Sequence, residues 1–263
     1  MDKVCLITGG SSGIGLAAAK ALAAKGVKVY EMSRRDFKCE GISHISGDVT
    51  KEESVSAAVS QIVNAEGRLD ILICCAGFGI SGAVEFTELE DAKRQLDVNF
   101  FGVVNTVKAA LSVMRAQGGG RILLISSVAG EIAIPFQTYY SVSKAAINAY
   151  GSALRNEVKP FGIEVCSIMP GDIKTGFTAA RQKTHVGDDI YGGRISRSVA
   201  GMEKDEQNGM SPETAGAFIC RMALKRRVPP ACTIGAMYKL FIGLNRLLPR
   251  ALIGKVVYMM YAK

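Results

Sequence analysis

Two residues in the run "TYYSVSK" (138–144) have the types and the spacing to move a proton: Tyr140 and Lys144, four apart. On a helix, residues four apart share a face, so the phenol and the ammonium lie one above the other while Tyr139 faces elsewhere. A phenol with pKa ~10 is a poor acid–base group near neutrality, and an adjacent ammonium stabilises the phenolate and lowers that value. Tyr140 with Lys144 is therefore an acid–base pair, and Tyr139 stands outside it. Because Y-x-x-x-K occurs by chance in many helices, its surroundings have to narrow it. Ser127 stands thirteen residues earlier, at the end of the apolar strand "RILLIS", and in open α/β sheets ligands gather at the carboxyl ends of strands. Ser126 alternates to the opposite face. Ser141 and Ser143 are expected to serve the helix start or its packing.

A second group of residues suits a nucleotide. "TGGSSGIG" (Thr8 to Gly15) follows the first apolar run and opens the first helical pattern. Gly9, Gly13 and Gly15 let the chain turn tightly and bring backbone N–H groups up to a pyrophosphate, with Ser11, Ser12 and Ile14 in the same turn. The spacing is G-x-x-x-G-x-G, and its place at a strand–helix junction favours binding over a purely structural turn. The next strand ends "YEMSRR", with Ser33 and Arg34 where a carboxylate would hold a ribose 2′-hydroxyl. A guanidinium suits a 2′-phosphate, which a carboxylate would repel, so the expected cofactor is NADP(H) rather than NAD(H). Glu31 is expected to point away. Asp48 in "GDVT", beside Val49, could accept from an adenine amino group, and an ordinary turn Asp explains it nearly as well.

These groups need a scaffold, and the chain supplies one. "KVCLIT", "VKVYEM", "LDILICCAG", "RILLIS" and "IEVCSIMPG" are strand-like apolar runs, separated by amphipathic helical patterns. Such alternation means a parallel sheet covered on both faces. The first helix is expected to close on Gly26, Ser211 and Pro212 to start a late one, and "ACTIGAM" to be a last strand. Residues 176–209 are polar, rich in Gly and poorly periodic, the pattern of a long functional loop. The final segment, about 236–263, is basic and apolar.

Composition excludes several classes. With 263 residues, 48% hydrophobic and 21% charged, the chain can bury one large core. No stretch reaches the ~18–20 apolar residues of a membrane span, and no leader pattern precedes "KVCLITGG", so a cytoplasmic place is expected. Seven cysteines without a C-x-x-C pair, and only two histidines, suggest neither a disulfide framework nor a metal site. The net charge of +8 arises after residue 213, where nine Lys or Arg meet no acid. A solvated basic face is the plainest account of it. Nucleic acid is not expected, since "KRR" at 225–227 lacks interleaved aromatics.

At this point the chain resembles the short-chain dehydrogenase/reductase family over roughly residues 3 to 235. The resemblance rests on "TGGSSGIG", "GDV", "CCAG" (74–77), Asn99 in "DVNFFG", "ISSVAG", "YSVSK" and "PGDIKT" (170–175), all in order. It implies an α/β fold, a single-domain doubly wound (Rossmann-type) parallel sheet with helices on both faces. It implies that Tyr140 is the general acid/base, that Ser127 bonds the reacting oxygen, and that Lys144 tunes Tyr140 and holds the nicotinamide ribose. Asn99 would shape its helix and a proton relay. Ala76 and Gly77 would face the cofactor, and Pro170, Gly171, Ile173 and Thr175 would lie along the nicotinamide. Cys74-Cys75 departs from the family's Asn-Asn and removes an amide from the site.

The middle of the chain looks most like the 17β-hydroxysteroid and retinol dehydrogenase-like branch. The implied activity is NADP(H)-dependent interconversion of a secondary alcohol and a ketone on a bulky lipophilic substrate such as a steroid. The alternatives are the same chemistry on a 3-oxoacyl thioester, retinoid, sugar or quinone, or a non-catalytic NADP(H)-binding protein. The resemblance also implies a homodimer or homotetramer through helices near 100–116 and 138–158, where Ile147, Leu154 and Val158 recur at helical spacing, a pattern that core packing explains equally well. In the tail, Leu240, Phe241, Leu244, Leu247 and Leu248 recur likewise among Lys239, Arg246 and Arg250. That stripe fits a membrane surface, or packing over the substrate cleft or a partner subunit.

Overall fold

The computed structural model describes residues 3–263. β1 (Val4–Thr8) leads through the Gly-rich turn into α1 (Gly13–Ala23), followed by β2 (Lys28–Ser33), β3 (Ile42–Ser46), α2 (Glu52–Glu66) and β4 (Ile71–Cys74). A two-residue strand, β5 (Ile80–Ser81), precedes α3 (Leu89–Leu96), α4 (Gly102–Ala116), β6 (Gly120–Ile125), α5 (Thr138–Val158) and β7 (Ile163–Pro170). The chain ends with α6 (Phe177–Ala180), β8 (Gln182–Lys183), α7 (Arg194–Gln207), α8 (Pro212–Leu224), β9 (Ala231–Ile234), α9 (Ala236–Leu247) and α10 (Arg250–Tyr261).

Seven strands pair in parallel in the order β3-β2-β1-β4-β6-β7-β9, and β5 pairs with β8 in a separate ribbon. Side-chain alternation divides the core in two. Leu6, Leu72, Ile122, Leu124 and Val165 face α2, α4 and α5. Cys5, Ile7, Ile73, Leu123 and Ile168 face α1 and α8. Burial of each large side chain contributes about 1.5–3 kcal/mol, so the strands hold best with both faces covered. The α1–α8 contact is close enough that a Cβ on Gly216 would stand 2.5 Å from the Ala17 backbone.

Ile147, Leu154 and Val158 belong to this core and are buried, so they cannot form a subunit interface. α1 ends at Ala23, and Gly26, with φ +77°, closes the turn beyond it rather than capping the helix itself. Ser211 and Pro212 start α8 as expected, with the Ser211 hydroxyl accepting from Thr214 N–H at 3.2 Å.

Residues 176–209 are not one loop. Ile195, Val199 and Met202 make an apolar stripe that seats α7 against Phe136, Tyr191 and Tyr261. Two left-handed glycines, Gly192 and Gly193, precede the helix, and its remaining faces are polar, which hides the stripe in the sequence. The tail forms the hairpin α9–α10. The Tyr238 ring packs over Gly171, where a Cβ would clash at 2.2 Å, and Asn245 donates to the Glu131 carbonyl at 3.3 Å. Tyr261 and Ala262 complete the cluster around Phe136. The hairpin thus covers the end of the sheet that carries Ser127. No helix among the described residues is long and apolar enough to cross a membrane.

Candidate active site

The Gly-rich turn is shaped by close backbone approach. Gly9, with φ +70°, has no room for a Cβ, which would meet the Ala76 backbone at 2.7 Å, and on Gly15 it would meet the Gly9 carbonyl at 2.3 Å. Ser12 stands at the N-cap of α1 without a side-chain cap bond, so the first N–H groups of the helix remain open to an anion. Thr175 lies over the turn, 3.6 Å from where a Gly13 Cβ would be. Ile14 and Ile173 pack into the core, so contacts to a ligand fall to their backbones.

At the end of β2, Arg34 is exposed and Ser33 is half-buried. Glu31 does not point away. It shares the Ser33 face, as alternate residues on a strand must, and it is fully buried. The Ser33 hydroxyl donates to Glu31 Oε1 at 3.2 Å, and His44 Nδ1 contacts the same oxygen. One carboxylate oxygen is therefore engaged beneath the strand end, Oε2 is buried without a partner among the described residues and lies 3.5 Å from where a Gly10 Cβ would be, and Arg34 holds the exposed outer position. Burial pushes Asp48 up, but bonds from the Thr50 N–H and hydroxyl, with the Arg34 charge, outweigh it and hold the carboxyl below the usual range. Val49 packs under Gly102, and its carbonyl accepts from Asn105 at 3.0 Å, which leaves its N–H open for a ligand.

The four candidate catalytic residues come together at the carboxyl ends of β4 and β6. Asn99 lies in a π-helical turn, Asp97–Phe101, between α3 and α4. One extra residue per turn aims its buried amide inward. Asn99 Oδ1 accepts from Phe78 N–H, and its Nδ2 donates to the Phe78 carbonyl at 3.0 Å and to Ser143 Oγ at 3.1 Å. Ser143 in turn donates to the Tyr140 carbonyl at 2.7 Å. Ser143 is thus more than a packing residue, because it ties Asn99 to α5. Its place next to Lys144 was the only signal in the sequence.

Lys144 Nζ donates to the Ile125 carbonyl at 2.9 Å, and burial, partly opposed by the nearby Cys75 thiol, brings it down to about 8. Ser126 Oγ donates to the Lys144 carbonyl at 2.9 Å, facing away from the cleft. Ser127 Oγ accepts from Ala129 N–H at 3.1 Å and lies close enough to Tyr140 to lower its phenol. Burial pushes the Tyr140 phenol up to about 12 against the effect of Ser127, with the Glu206 and Asp172 carboxylates adding to the rise and Arg181 opposing it. Lys144, 5.7 Å from the Tyr140 ring centroid, does not bring the phenol toward neutrality. Burial wins, and Tyr140 holds its proton at neutral pH, the state that a proton donor to a carbonyl oxygen requires. Phe177, 5.7 Å from Tyr140 between ring centroids, and the buried Arg181–Glu206 pair form the far wall. Neither was legible before the fold was known.

Residues 3–185 carry the signature of the short chain dehydrogenase family. The chain belongs to that family. This short-chain dehydrogenase is 40% identical over 247 residues, 93% of its length and 92% of the relative's, to a 3-ketodihydrosphingosine reductase of Bacteroides thetaiotaomicron. It is 31% identical to a probable short-chain type dehydrogenase/reductase of Helicobacter pylori, over 94% of this chain and 93% of that one. The crystal structure of a short-chain dehydrogenase from Streptomyces avermitilis superposes with a TM-score of 0.83 at 28% identity, covering 97% and 96% of the two chains. A structure of ElxO with NADP bound gives 0.76 at 26% identity, over 91% of this chain and all of the other. As a member of the family, the protein is an oxidoreductase acting between CH–OH and carbonyl groups.

Proposed function

We propose that this short-chain dehydrogenase uses NADPH to reduce the ketone of a long-chain lipophilic substrate. The observation that carries this reading is the meeting of Ser127, Tyr140 and Lys144 at one end of the sheet, with Lys144 Nζ fixed by the Ile125 carbonyl at 2.9 Å, and the 40% identical relative that is a reductase supports the reductive direction. NADPH supplies the hydride. Tyr140 gives its proton to the carbonyl oxygen while Ser127 hydrogen-bonds that oxygen and stabilises the charge it gains. Lys144 holds the nicotinamide ribose, and Asn99 fixes α5 through Ser143. The uncapped N-terminus of α1, the Gly9–Ala76 approach and Asp48 suit the cofactor's phosphates and adenine. Arg34 suits its 2′-phosphate.

The Arg34 assignment has a measurable consequence. Arg34→Ala should weaken NADPH by about 1.5–3 kcal/mol, the scale of a hydrogen bond to a charged group. NADH should be barely affected in the same titration, and equal losses for both would remove the 2′-phosphate role.

For the substrate, the 40% identical reductase of a sphingoid ketone supports an aliphatic chain in place of a steroid. The whole chain would act as one catalytic unit, with residues 176–210 and the tail 236–263 framing the substrate. Turnover of NADPH against long-chain ketones, steroids, retinals and acyl thioesters tests this. Reduction of steroids alone would overturn the long-chain reading, and no turnover with any of them would favour a non-catalytic NADP(H)-binding protein.

The tail adds a place of action, cytoplasmic and peripheral at a membrane. Part of the predicted stripe faces outward, with Leu240 60% and Leu247 81% exposed, while Phe241 packs edge-on against Tyr238. Leu252, Val256, Met259 and Met260 are likewise exposed on α10. Basic residues flank both helices, and anionic lipid would add about 1 kcal/mol for each well-placed Lys or Arg. Because the inner face holds Tyr238 and Tyr261, surface changes are a cleaner probe than truncation. Leu240→Gln with Leu247→Gln should release the protein from phosphatidylglycerol vesicles on sedimentation; unchanged binding would reject the contact.

Exposed Phe101 and Val142, on the faces of the π-helical turn and α5, support a homodimer or homotetramer. A monomer mass by light scattering would contradict it.

A further inference from the structure

We propose that Asp172 docks a cationic amine next to the reacting carbonyl, making this enzyme an amino-ketone reductase. The proposal rests on the ketoreductase reading above and names the polar head of its substrate.

Asp172 follows Pro170 and Gly171 at the carboxyl end of β7, the strand that pairs with β6 through Ile125 and Ile168. The end of β6 carries Ser127, so Asp172 stands on the strand next to the carbonyl-binding hydroxyl. Its position is fixed from two sides. Tyr238 donates from its hydroxyl to Asp172 Oδ2 at 2.5 Å, and the Asp172 carbonyl accepts from Met210 N–H at 3.0 Å. Oδ1 makes no hydrogen bond among the described residues. The carboxylate is half-buried, and among the described residues it has no salt-bridge partner. Glu206, the other acid facing Tyr140, is already engaged by Arg181 and by the Thr178 hydroxyl at 2.6 Å. Lys144 is turned to the Ile125 carbonyl.

Burial pushes the Asp172 carboxyl up, with Glu206 and Asp205 adding to the rise, and the Tyr238 bond and the Arg181 guanidinium, itself paired to Glu206, offset it only in part. A ligand ammonium would remove that penalty. A second unused group lies close by. Arg181 has a side chain only 1% exposed, lies 5.6 Å from the Phe177 ring that touches Tyr140, and leaves Nη1 without an acceptor among the described residues. A buried guanidinium N–H with no partner calls for a ligand oxygen. An acceptor-only carboxylate and a spare N–H donor, set beside Tyr140 and under an apolar hairpin, fit one class of substrate. That class is an aliphatic ketone with an amine and a hydroxyl near the carbonyl. Steroids, retinoids and acyl thioesters bring no cation to Asp172.

The test compares a long-chain 2-amino-1-hydroxy-3-ketone with its counterpart lacking the amine, in the wild type and in Asp172→Asn, which keeps an acceptor for Tyr238. The wild type should prefer the amino ketone. Asp172→Asn should lower kcat/KM for it by about 100-fold, mostly through KM, and leave the amine-free ketone within a few-fold. Equal losses on both ketones, or a wild type indifferent to the amine, would overturn the subsite. Calorimetry with a primary alkylammonium and the matching alkyl alcohol separates the two readings. If neither ketone is reduced, the long-chain reading falls. The subsite then stands if wild type alone binds the ammonium, and falls if Asp172→Asn binds it equally.

Discussion

Tyr140→Phe should lower kcat for ketone reduction by about 10²–10⁴-fold, the range of a positioned general acid, with NADPH affinity retained. The ring keeps its contact with Phe177 and loses only its hydroxyl. Tyr139→Phe should change kcat by less than a few-fold, because Tyr139 lies off the Lys144 face of α5. The neighbouring pair makes the test internally controlled, since both variants remove one phenol from the same turn. If Tyr139→Phe is the inactive variant, the helical-face assignment is wrong.

The two adjacent serines should separate in kind. Ser127→Ala removes a donor to the developing oxyanion, and such donors are worth about 10²–10³ in kcat. Ser126→Ala instead leaves the buried Lys144 carbonyl without its side-chain partner. Its effect should be a loss of about 1 kcal/mol in stability, seen in denaturant unfolding, with kcat nearly unchanged. Matching losses of kcat in both variants would mean that the strand end is oriented differently from what the hydrogen bonds here require.

Much of this site was legible because its signals are local. The strands are continuous apolar runs, and the Tyr140–Lys144 face follows from helical spacing alone. So does the difference between Ser126 and Ser127, which strand alternation sends to opposite sides. The same alternation places Glu31 on the Ser33 face, and its role was missed because the sequence does not show that His44, on the neighbouring strand, would meet it.

The remaining features depend on contacts between distant segments. Lys144 could be placed beside Tyr140 from the sequence, but how far burial outweighs its charge depends on α6, α7 and β7 closing over the phenol. α7 stayed hidden because its stripe of Ile195, Val199 and Met202 is short and follows two glycines. Asp172 and Arg181 gain meaning only once Tyr238, nearly seventy positions away in the chain, is seen to seat one and Glu206 the other. The tail's apolar stripe was visible, but its outward direction is fixed by Tyr238 lying over Gly171.

The most direct test of the account is hydride tracing. Wild-type protein is incubated with a long-chain ketone and NADPH that carries deuterium at its transferable position, and the product is read by mass spectrometry. The account predicts one deuterium on the carbinol carbon of the alcohol, one NADPH consumed per alcohol formed, and almost no product from Tyr140→Phe. Stoichiometric NADPH binding with no deuterated alcohol from any ketone would contradict it, and would leave a nucleotide-binding protein whose Ser127, Tyr140 and Lys144 do no chemistry.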